Sequence, residues 1–489
     1  MRISHVTALF VAELEQRILA SDDTDFALML GQWLARFLTA NFCAVYQLKD
    51  IEEHLARRIG DIEVLLSGEI EDCVHVASEV YAYGGHSRLM RNLLSASEKA
   101  ARCVVLTRPA DPVGAAGILD VQTENIGICR APSESSRVVE LVAMLLKYRT
   151  IVLHIHPDDV IAAVAVALVK RLQPGRLVCF INHSDHTFSA AIGHADFVFE
   201  VSGYGWSLRA ARGTVHSSTY LGIPLRAQEK ASDMPVSGRI LTGGSAYKYR
   251  PSGSRSLPGL LMSLLDRNSA VHVVAIGPKA SDAWWWRLKS RFPSKFKRYA
   301  RIPHQDYVRQ LSDCSVYVDS YPVTGGTGFT EALIAGADVA GIRGGPNGYG
   351  VADALRSSNA AGFVDDVERL LRRDPAALAA QAKVRARARE LHAIEAVHAR
   401  FTAAIATGDL VPLPAELACD DYDFDFRTEW AKRGSPVCVG FAGRRELALL
   451  PALLGCTLKT LGSTAFAITL VAKASVGTAR EMSLSWRYK

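Results

Sequence analysis

Twice along this chain, short runs of β-branched and aromatic residues alternate with segments of helical period, and that alternation leaves few folds open. In the first series the strand-like runs are Val74–Val80, Cys103–Thr107 (CVVLT), Ile126–Cys129, Thr150–His154 (TIVLH), Leu177–Ile181 (LVCFI) and Phe197–Val201 (FVFEV). Helical segments at Ser87–Ala101, Ser136–Tyr148 and Val160–Leu172 separate them. The second series has runs at Ile240–Gly243, Val271–Ile276 (VHVVAI), Tyr299–Pro303, Cys314–Val318 (CSVYV) and Val339–Ile342, the last clear strand. Its helical segments are Leu257–Asp266, Ala283–Arg291, Gln305–Ser312 and one that begins at Ala352–Leu355. Repeated βα units bury both faces of a sheet and imply parallel strands.

The expected fold class is α/β, with two Rossmann-like doubly wound domains after an N-terminal helical region. A chain of 489 residues is too long for one core. The divisions read as a helical region over 1–70, a first α/β domain over 71–230, a second over 236–375, and a helical region with a tail over 376–489. The first region carries LFVAELEQRILA and FALMLGQWLARFL, with Ser21-Asp22-Asp23 as the break, and reads as a small cap or interaction domain. Ala227–Gly238, with Pro235, reads as a linker. Ala376–Ala406 is helical and rich in Ala and Arg, Asp420–Phe426 (DDYDFDF) is acidic and aromatic, and Thr428–Arg433 reads as a short helix.

Bulk properties exclude several function classes. Hydrophobic residues make up 49% and charged residues 22%, as in soluble globular proteins. A net charge of +6 is mild at this length and does not indicate a nucleic-acid binder. The nine cysteines are scattered without a CxxC pair, which argues for reduced thiols, a cytoplasmic location and no zinc site or disulfide framework. Glu13, Glu15 and Arg17 interrupt the first apolar stretch, so it does not read as a secretory signal. Leu447–Ala472 is apolar but holds Pro451 and Lys459, and reads as core rather than a membrane span.

Chemistry in such sheets gathers at the carboxyl ends of strands, and five loops there are loaded. Asp319–Glu331 (DSYPVTGGTGFTE) runs from a strand through a glycine-rich loop into a helix. Gly325, Gly326 and Gly328 let backbone approach a ligand, the N–H groups around Thr327 suit a phosphate, and Glu331 is placed to accept from ribose hydroxyls. A plain strand–loop–helix connection is the alternative. Gly243–Pro251 (GGSAYKYRP) follows the first strand of the second series; Gly244 permits close approach and Lys248 is a compact cation suited to a diphosphate. Gly84-Gly85-His86 presents a histidine that can act as a base or simply cap a helix.

His154-Ile155-His156-Pro157-Asp158-Asp159 admits a metal site, an acceptor lining through His156 and Asp158, or a helix cap by one aspartate. Asn182-His183-Ser184-Asp185-His186-Thr187 reads as a polar cluster facing an acceptor, with His183, Asp185 and His186 as candidate catalytic groups beside Asn182. The spacing makes no hydrolase triad, since GxSxG is absent there. Trp284-Trp285-Trp286 cannot share one helix face, so at least one is expected at the surface, with core packing the commoner role.

Taken together, the motifs of the second series resemble the donor domain of GT-B glycosyltransferases, in particular the O-linked N-acetylglucosamine transferases and bacterial peptide-glycosylating relatives. The residues that carry the resemblance are GGSAYKYRP, the Arg301–Gln305 stretch RIPHQ, the helix leading into CSVYVDSYP, and GGTGFTEALIAG. The resemblance implies that Lys248 stabilises the leaving nucleoside diphosphate, that Ile302–Tyr307 with His304 borders the base, that Gly326–Gly328 holds the diphosphate, and that Glu331 binds the ribose. The first domain resembles GT-B acceptor domains, which implies a base or acceptor-lining role for His86. The likeness spans roughly Val74 to Ile342. It departs from the O-linked enzymes in lacking tetratricopeptide repeats and in having Gly-Thr-Gly where they carry a His-Thr-Thr-like triplet.

The expected activity is transfer of a hexose or N-acetylhexosamine from a nucleotide sugar, with UDP favoured over GDP, to an acceptor hydroxyl on a glycan or a protein. His86, or a histidine of the 183–186 cluster, removes the proton, and Lys248 with the Thr327 N–H groups meets the charge on the diphosphate. The scheme needs no metal and no cofactor beyond the nucleotide sugar, and inversion follows by analogy. Bacterial glycan biosynthesis and peripheral contact with the inner face of a membrane are implied by the class alone. The alternatives are a non-hydrolysing nucleotide-sugar epimerase and a degenerate transferase that binds without turnover.

Overall fold

The computed structural model describes residues 5–41, 43–60, 62, 70–82, 85–98, 102–226, 237–345, 347–419, 437–442, 444–463 and 465–474. Most of the expected linker, Asp420–Phe426 and Thr428–Arg433 lie outside these residues. Three helices come first: α1 (His5–Ala20), α2 (Thr24–Ala40) and α3 (Lys49–Ile59). The first βα series then comprises β1 (Glu71–Ala77), α4 (Gly85–Leu94), β2 (Cys103–Leu106), α5 (Pro112–Leu119), β3 (Ile126–Ile128), α6 (Glu134–Leu145), β4 (Tyr148–His154) and α7 (Val160–Leu172). It closes with β5 (Leu177–Asn182), β6 (Phe197–Glu200), α8 (Gly203–Ser207), α9 (Arg209–Arg212) and β7 (Ser218–Tyr220).

The second series comprises β8 (Arg239–Gly243), α10 (Leu257–Arg267), β9 (His272–Ile276), α11 (Trp286–Arg291), β10 (Phe296–Tyr299) and α12 (His304–Asp313). It continues through β11 (Val316–Val318), α13 (Thr327–Ile334), β12 (Asp338–Ile342), β13 (Arg356–Ser357), α14 (Ala360–Leu371), α15 (Pro375–His392) and α16 (Ile394–Thr407).

Among the described residues the strands form a seven-stranded sheet, ordered β3-β2-β1-β4-β5-β6-β7, and a six-stranded sheet, ordered β10-β9-β8-β11-β12-β13. Every pairing is parallel. The strand order reverses between β1 and β4 in one sheet and between β8 and β11 in the other. Ligand crevices open at such switch points. The loops after β1 and β4, and after β8 and β11, are the ones the sequence marks as chemically loaded.

Several elements depart from the sequence reading. The strand expected at Tyr299–Pro303 lies earlier, at Phe296–Tyr299, because the chain pairs with β9 before it turns. β12 is not the last strand, since Arg356–Ser357 adds an edge to the sheet. Val351–Leu355 makes only a 3-10 turn, and the helix starts after the Asn359 cap, whose side chain accepts from Gly362 N. The helix expected to Ala101 stops at Leu94.

The N-terminal helices share a core with the first sheet. Trp33, Leu34 and Leu55 are buried in one apolar cluster with Val74, Ile151, Val160 and Val164. Leu449, Leu453, Phe466 and Leu470, from late in the chain, join the same cluster. Phe10 meets Trp33, Phe37 and Phe466 edge-on. A second cluster runs through both domains, from Val152 and Phe199 to Leu241, Tyr317 and Phe329, and takes in Leu391, Val397 and Phe401. Through it the end of α15 and α16 return to the first domain: Leu225 N donates to His392 O of α15 at 2.7 Å, and the Arg400 guanidinium of α16 donates to Leu221 O. Of the three tryptophans, Trp285 is fully buried and stacks on Phe296, whereas Trp286 is 57% exposed. No helix among the described residues is long and apolar enough to cross a membrane.

Candidate functional site

In the first sheet the chain leaves β1, turns, and starts α4 at Gly85, which sets His86 in its first turn. The His86 Nε2 lies 2.6 Å from the carbonyl oxygen of His154 at the end of β4. A carbonyl only accepts, so Nε2 carries the proton and Nδ1 keeps its lone pair. That Nδ1 is buried without a hydrogen-bond partner. The His86 ring lies against His183, with centroids 4.1 Å apart, and edge-on to His156 at 5.7 Å. Behind them the His75 and His154 rings share a hydrogen bond of 2.9 Å. Burial is the main cause that keeps these imidazoles neutral: it pushes His75 and His86 down to about 4 and holds His154 and His183 well below the ordinary histidine value.

The other residues after β4 divide their roles. Asp159 caps α7 by accepting from Ala162 N, and it also receives Ser78 Oγ and Thr107 Oγ1. Asp158 instead pairs with Arg108 at 3.0 Å, and Arg108 bridges to Glu79 at 2.9 Å. His156 stands 3.3 Å from the same guanidinium and stacks on the exposed ring of Tyr81. These groups form a polar, aromatic rim on the first domain. The described residues hold no cluster of three or more His, Cys, Asp or Glu arranged to bind a metal ion.

The 182–187 segment is less uniform than its sequence suggests. His183 joins the histidine group around His86. Asn182 turns inward and donates to Glu200 at 2.7 Å, and Glu200 pairs with buried Arg212. Burial pushes Glu200 up to about 7. Asp185 is fully buried and accepts from Ser202 Oγ and from Tyr349 Oη, the latter at 2.8 Å across the domain boundary. Its carboxylate ties the two domains together, and His186 Nδ1 lies 3.5 Å from it. The expectation that Asp185 faces the acceptor is therefore corrected: its oxygens are engaged in this buried network.

In the second sheet, Gly244 follows β8 with its N–H on Ile276 O, and a 3-10 turn at Ala246–Tyr249 carries Lys248. Lys248 Nζ donates to Thr324 O at 2.8 Å, which sets the ammonium against the chain leading into Gly325. Burial is the main cause that lowers the Lys248 pKa, and neighbouring Asp319 opposes it. One part of the glycine loop differs from expectation. The Gly325 N–H is held by both carboxylate oxygens of Asp319 at 3.0 Å, so it belongs to the loop and not to a bound phosphate. Asp319 is itself paired with buried Arg356. Gly326 caps α13 with φ 55°, a left-handed conformation that favours glycine, and a Cβ there would stand 3.4 Å from the Tyr349 ring. The N–H groups of Gly326 and Thr327 head α13, and Gly328 donates to Gly325 O. His304 is the first residue of α12.

The two half-sites meet. A Cβ built on Gly85 would lie 3.7 Å from Thr327 Oγ1, so the first turns of α4 and α13 face each other across the domain boundary. Arg88 on α4 pairs with Glu331 on α13 at 2.7 Å. The second carboxylate oxygen of Glu331 is buried without a hydrogen-bond partner. Sequence reasoning missed Arg88, Tyr349 and the Asp319–Arg356 pair. Each acts on a residue distant in the chain, and no local spacing announces it.

Solved structures with the same two-domain arrangement decide the fold. HepE of Anabaena in complex with UDP matches 69% of this chain and 100% of its own, with a TM-score of 0.54 and 12% identity. HepE in complex with UDP-glucose matches 68% and 99%, with a TM-score of 0.52 and 12% identity. A glycosyltransferase of Rickettsia africae matches 69% and 100%, with a TM-score of 0.51 and 9% identity. The fold is GT-B. In this GT-B chain the two switch points meet through the Gly85–Thr327 contact and the Arg88–Glu331 pair, and Lys248 lies against Thr324 on the second domain's side. No family model matches the chain, and no curated protein matches its sequence.

Proposed function

We propose that the chain is a glycosyltransferase that moves a sugar from a UDP-sugar to an acceptor hydroxyl bound between the domains. The observation that carries this reading is the meeting of the two switch points, where Gly85, beside His86, lies against Thr327 and Arg88 pairs with Glu331. Lys248 lies against the same glycine loop. The HepE structures supply the precedent for UDP on this fold at low identity.

The acceptor oxygen attacks the anomeric carbon as the bond from that carbon to the diphosphate oxygen breaks. His86 Nδ1 takes the hydroxyl proton, and UDP leaves with the bonding pair. Charge developing on the diphosphate is met by the Lys248 ammonium and by the N–H groups that head α13, a fixed array worth most where water is excluded. These groups supply positive charge from the chain itself, which supports a metal-independent displacement. A single base at the crevice fits one in-line step with inversion. Glu331 accepts from the ribose, and the Tyr81, His156 and Arg108 rim lies on the acceptor side, facing a glycan or a protein.

The test is thermal-shift binding of UDP, GDP and ADP, followed by mass-spectrometric detection of diphosphate released from matching sugars. A shift with UDP that is weakened in Glu331→Ala, together with diphosphate release that is lost in Lys248→Ala, supports the reading. No shift with any nucleotide overturns it. Release that proceeds equally without any acceptor, and returns an altered nucleotide sugar, would replace transfer with epimerisation.

A further inference from the structure

We infer that Arg88, on the first domain, is a positioning residue that sets the Glu331 carboxylate for ribose and so makes recognition of the donor depend on both domains. The inference rests on the donor reading given above. Glu331 stands in the second turn of α13 and Arg88 in the first turn of α4, and both side chains are about three-quarters removed from solvent. The ion pair uses one carboxylate oxygen, Oε1, at 2.7 Å. The other, Oε2, is buried and has no hydrogen-bond partner.

A buried carboxylate oxygen without a donor is costly, and a ligand hydroxyl can satisfy it. A glutamate alone on a helix turn can rotate about its last torsion and present either oxygen in many directions. With Oε1 fixed by a guanidinium, Oε2 has one direction left. Arg88 does not compete for the oxygen that the ribose would use. It holds the other one. Because its helix belongs to the first domain, the pair exists only where the two domains lie together, and the adjacent contact between Gly85 and Thr327 reports the same approach. Donor affinity and the closed arrangement are thereby coupled through a single ion pair.

The experiment compares UDP with 2′,3′-dideoxy-UDP by calorimetry on the full chain, in the wild type and in Arg88→Met, Arg88→Lys and Glu331→Ala. A hydroxyl donating to a carboxylate is worth on the order of a tenfold or greater preference. The wild type is expected to prefer UDP by about that factor, and Glu331→Ala to lose the preference. Arg88→Met should bind UDP about tenfold more weakly and dideoxy-UDP unchanged, so that the preference collapses. Arg88→Lys, which keeps a charge but no planar fork, should fall between. Thermal midpoints within a few degrees of wild type show that the variants are folded; should Arg88→Met fail to fold, Arg88→Gln takes its place. Retention of the full preference in Arg88→Met overturns the inference, as does tighter UDP binding, which would make Arg88 a competitor of the ribose. A wild type that binds UDP without regard to the ribose hydroxyls sinks this inference and takes Glu331 off the ribose, while the UDP-sugar reading stands. A wild type that binds no uridine nucleotide sinks the donor reading with it.

Discussion

At neutral pH the His86 ring carries no extra proton, because burial pushes its pKa down to about 4. Its Nδ1 is therefore open to accept a proton throughout the neutral range, at the cost of being a weaker base. The pH profile of kcat/KM should accordingly hold flat down to about pH 5, with no acid limb at the ordinary histidine value near 6.5. His86→Asn should lower kcat by roughly 10²- to 10⁴-fold and leave UDP binding unchanged by calorimetry. Lys248→Ala should lower kcat by about 10²-fold or more, with a smaller effect on the KM for donor, since diphosphate charge grows toward the transition state. Equal losses in donor affinity and kcat/KM would mark Lys248 as a ground-state contact only. The places of His86 and Lys248 just after strands were legible in the sequence, because each comes after a run of glycines that ends a strand. Arg88 was not, because its importance comes from Glu331, 243 positions further on. Asp185 was misplaced for the same kind of reason: its partner Tyr349 comes from the other domain.

At the level of elements, the glycine loop is built from the inside. Asp319 grips the Gly325 N–H, and buried Arg356 compensates the Asp319 charge. The cation lies on β13, the two-residue edge strand that the sequence did not mark. Arg356→Leu leaves Asp319 buried without its counter-charge and should cost about 3–5 kcal/mol of stability, measured by denaturant unfolding. A loss under about 1 kcal/mol would mean that Asp319 finds another partner or takes up a proton. The long buried helix was readable to its ends, since Val160–Leu172 is capped by Asp159 and stops at a polar Gln173. β10 was misread by several residues because FKRY is a half-exposed edge strand with little apolar pattern. α5 (PVGAAGIL) lacks helical period and has two glycines, so its Asp111 cap and Pro112 in the first turn were the local signs of it.

Across the whole molecule, buried histidines make stability depend on pH. His75, His86 and His392 are each lowered to about 4, first of all by burial. An unfolded histidine titrates near 6.5. Between those values the unfolded chain binds more protons than the folded one, so stability rises with pH in that window. The contribution is fully present above about pH 6.5 and is lost as the pH falls toward 4. A depression of this size on a fully buried ring such as His392 amounts to on the order of 3 kcal/mol. Urea midpoints at pH 7.5, 6 and 5 should fall in that order, and a constant midpoint would contradict the buried neutral assignment. Neither the pairing of His75 with His154 nor the return of α16 was visible in the sequence. Both depend on sheet order, which periodicity does not encode.

The first domain closes around segments from both halves of the chain. Phe10 packs on Phe466, Leu449 and Leu453 lie in the same core as Val74, and α16 seals the far side at Leu221. During synthesis, a ribosome that has finished all seven strands of the first sheet has therefore not yet supplied the residues that complete its core. The nascent domain must wait for roughly the second half of translation with part of its apolar surface uncovered, while the glycine-loop domain is made and can assemble first. Vectorial order is thus inverted for this chain: the part that emerges earliest is finished last.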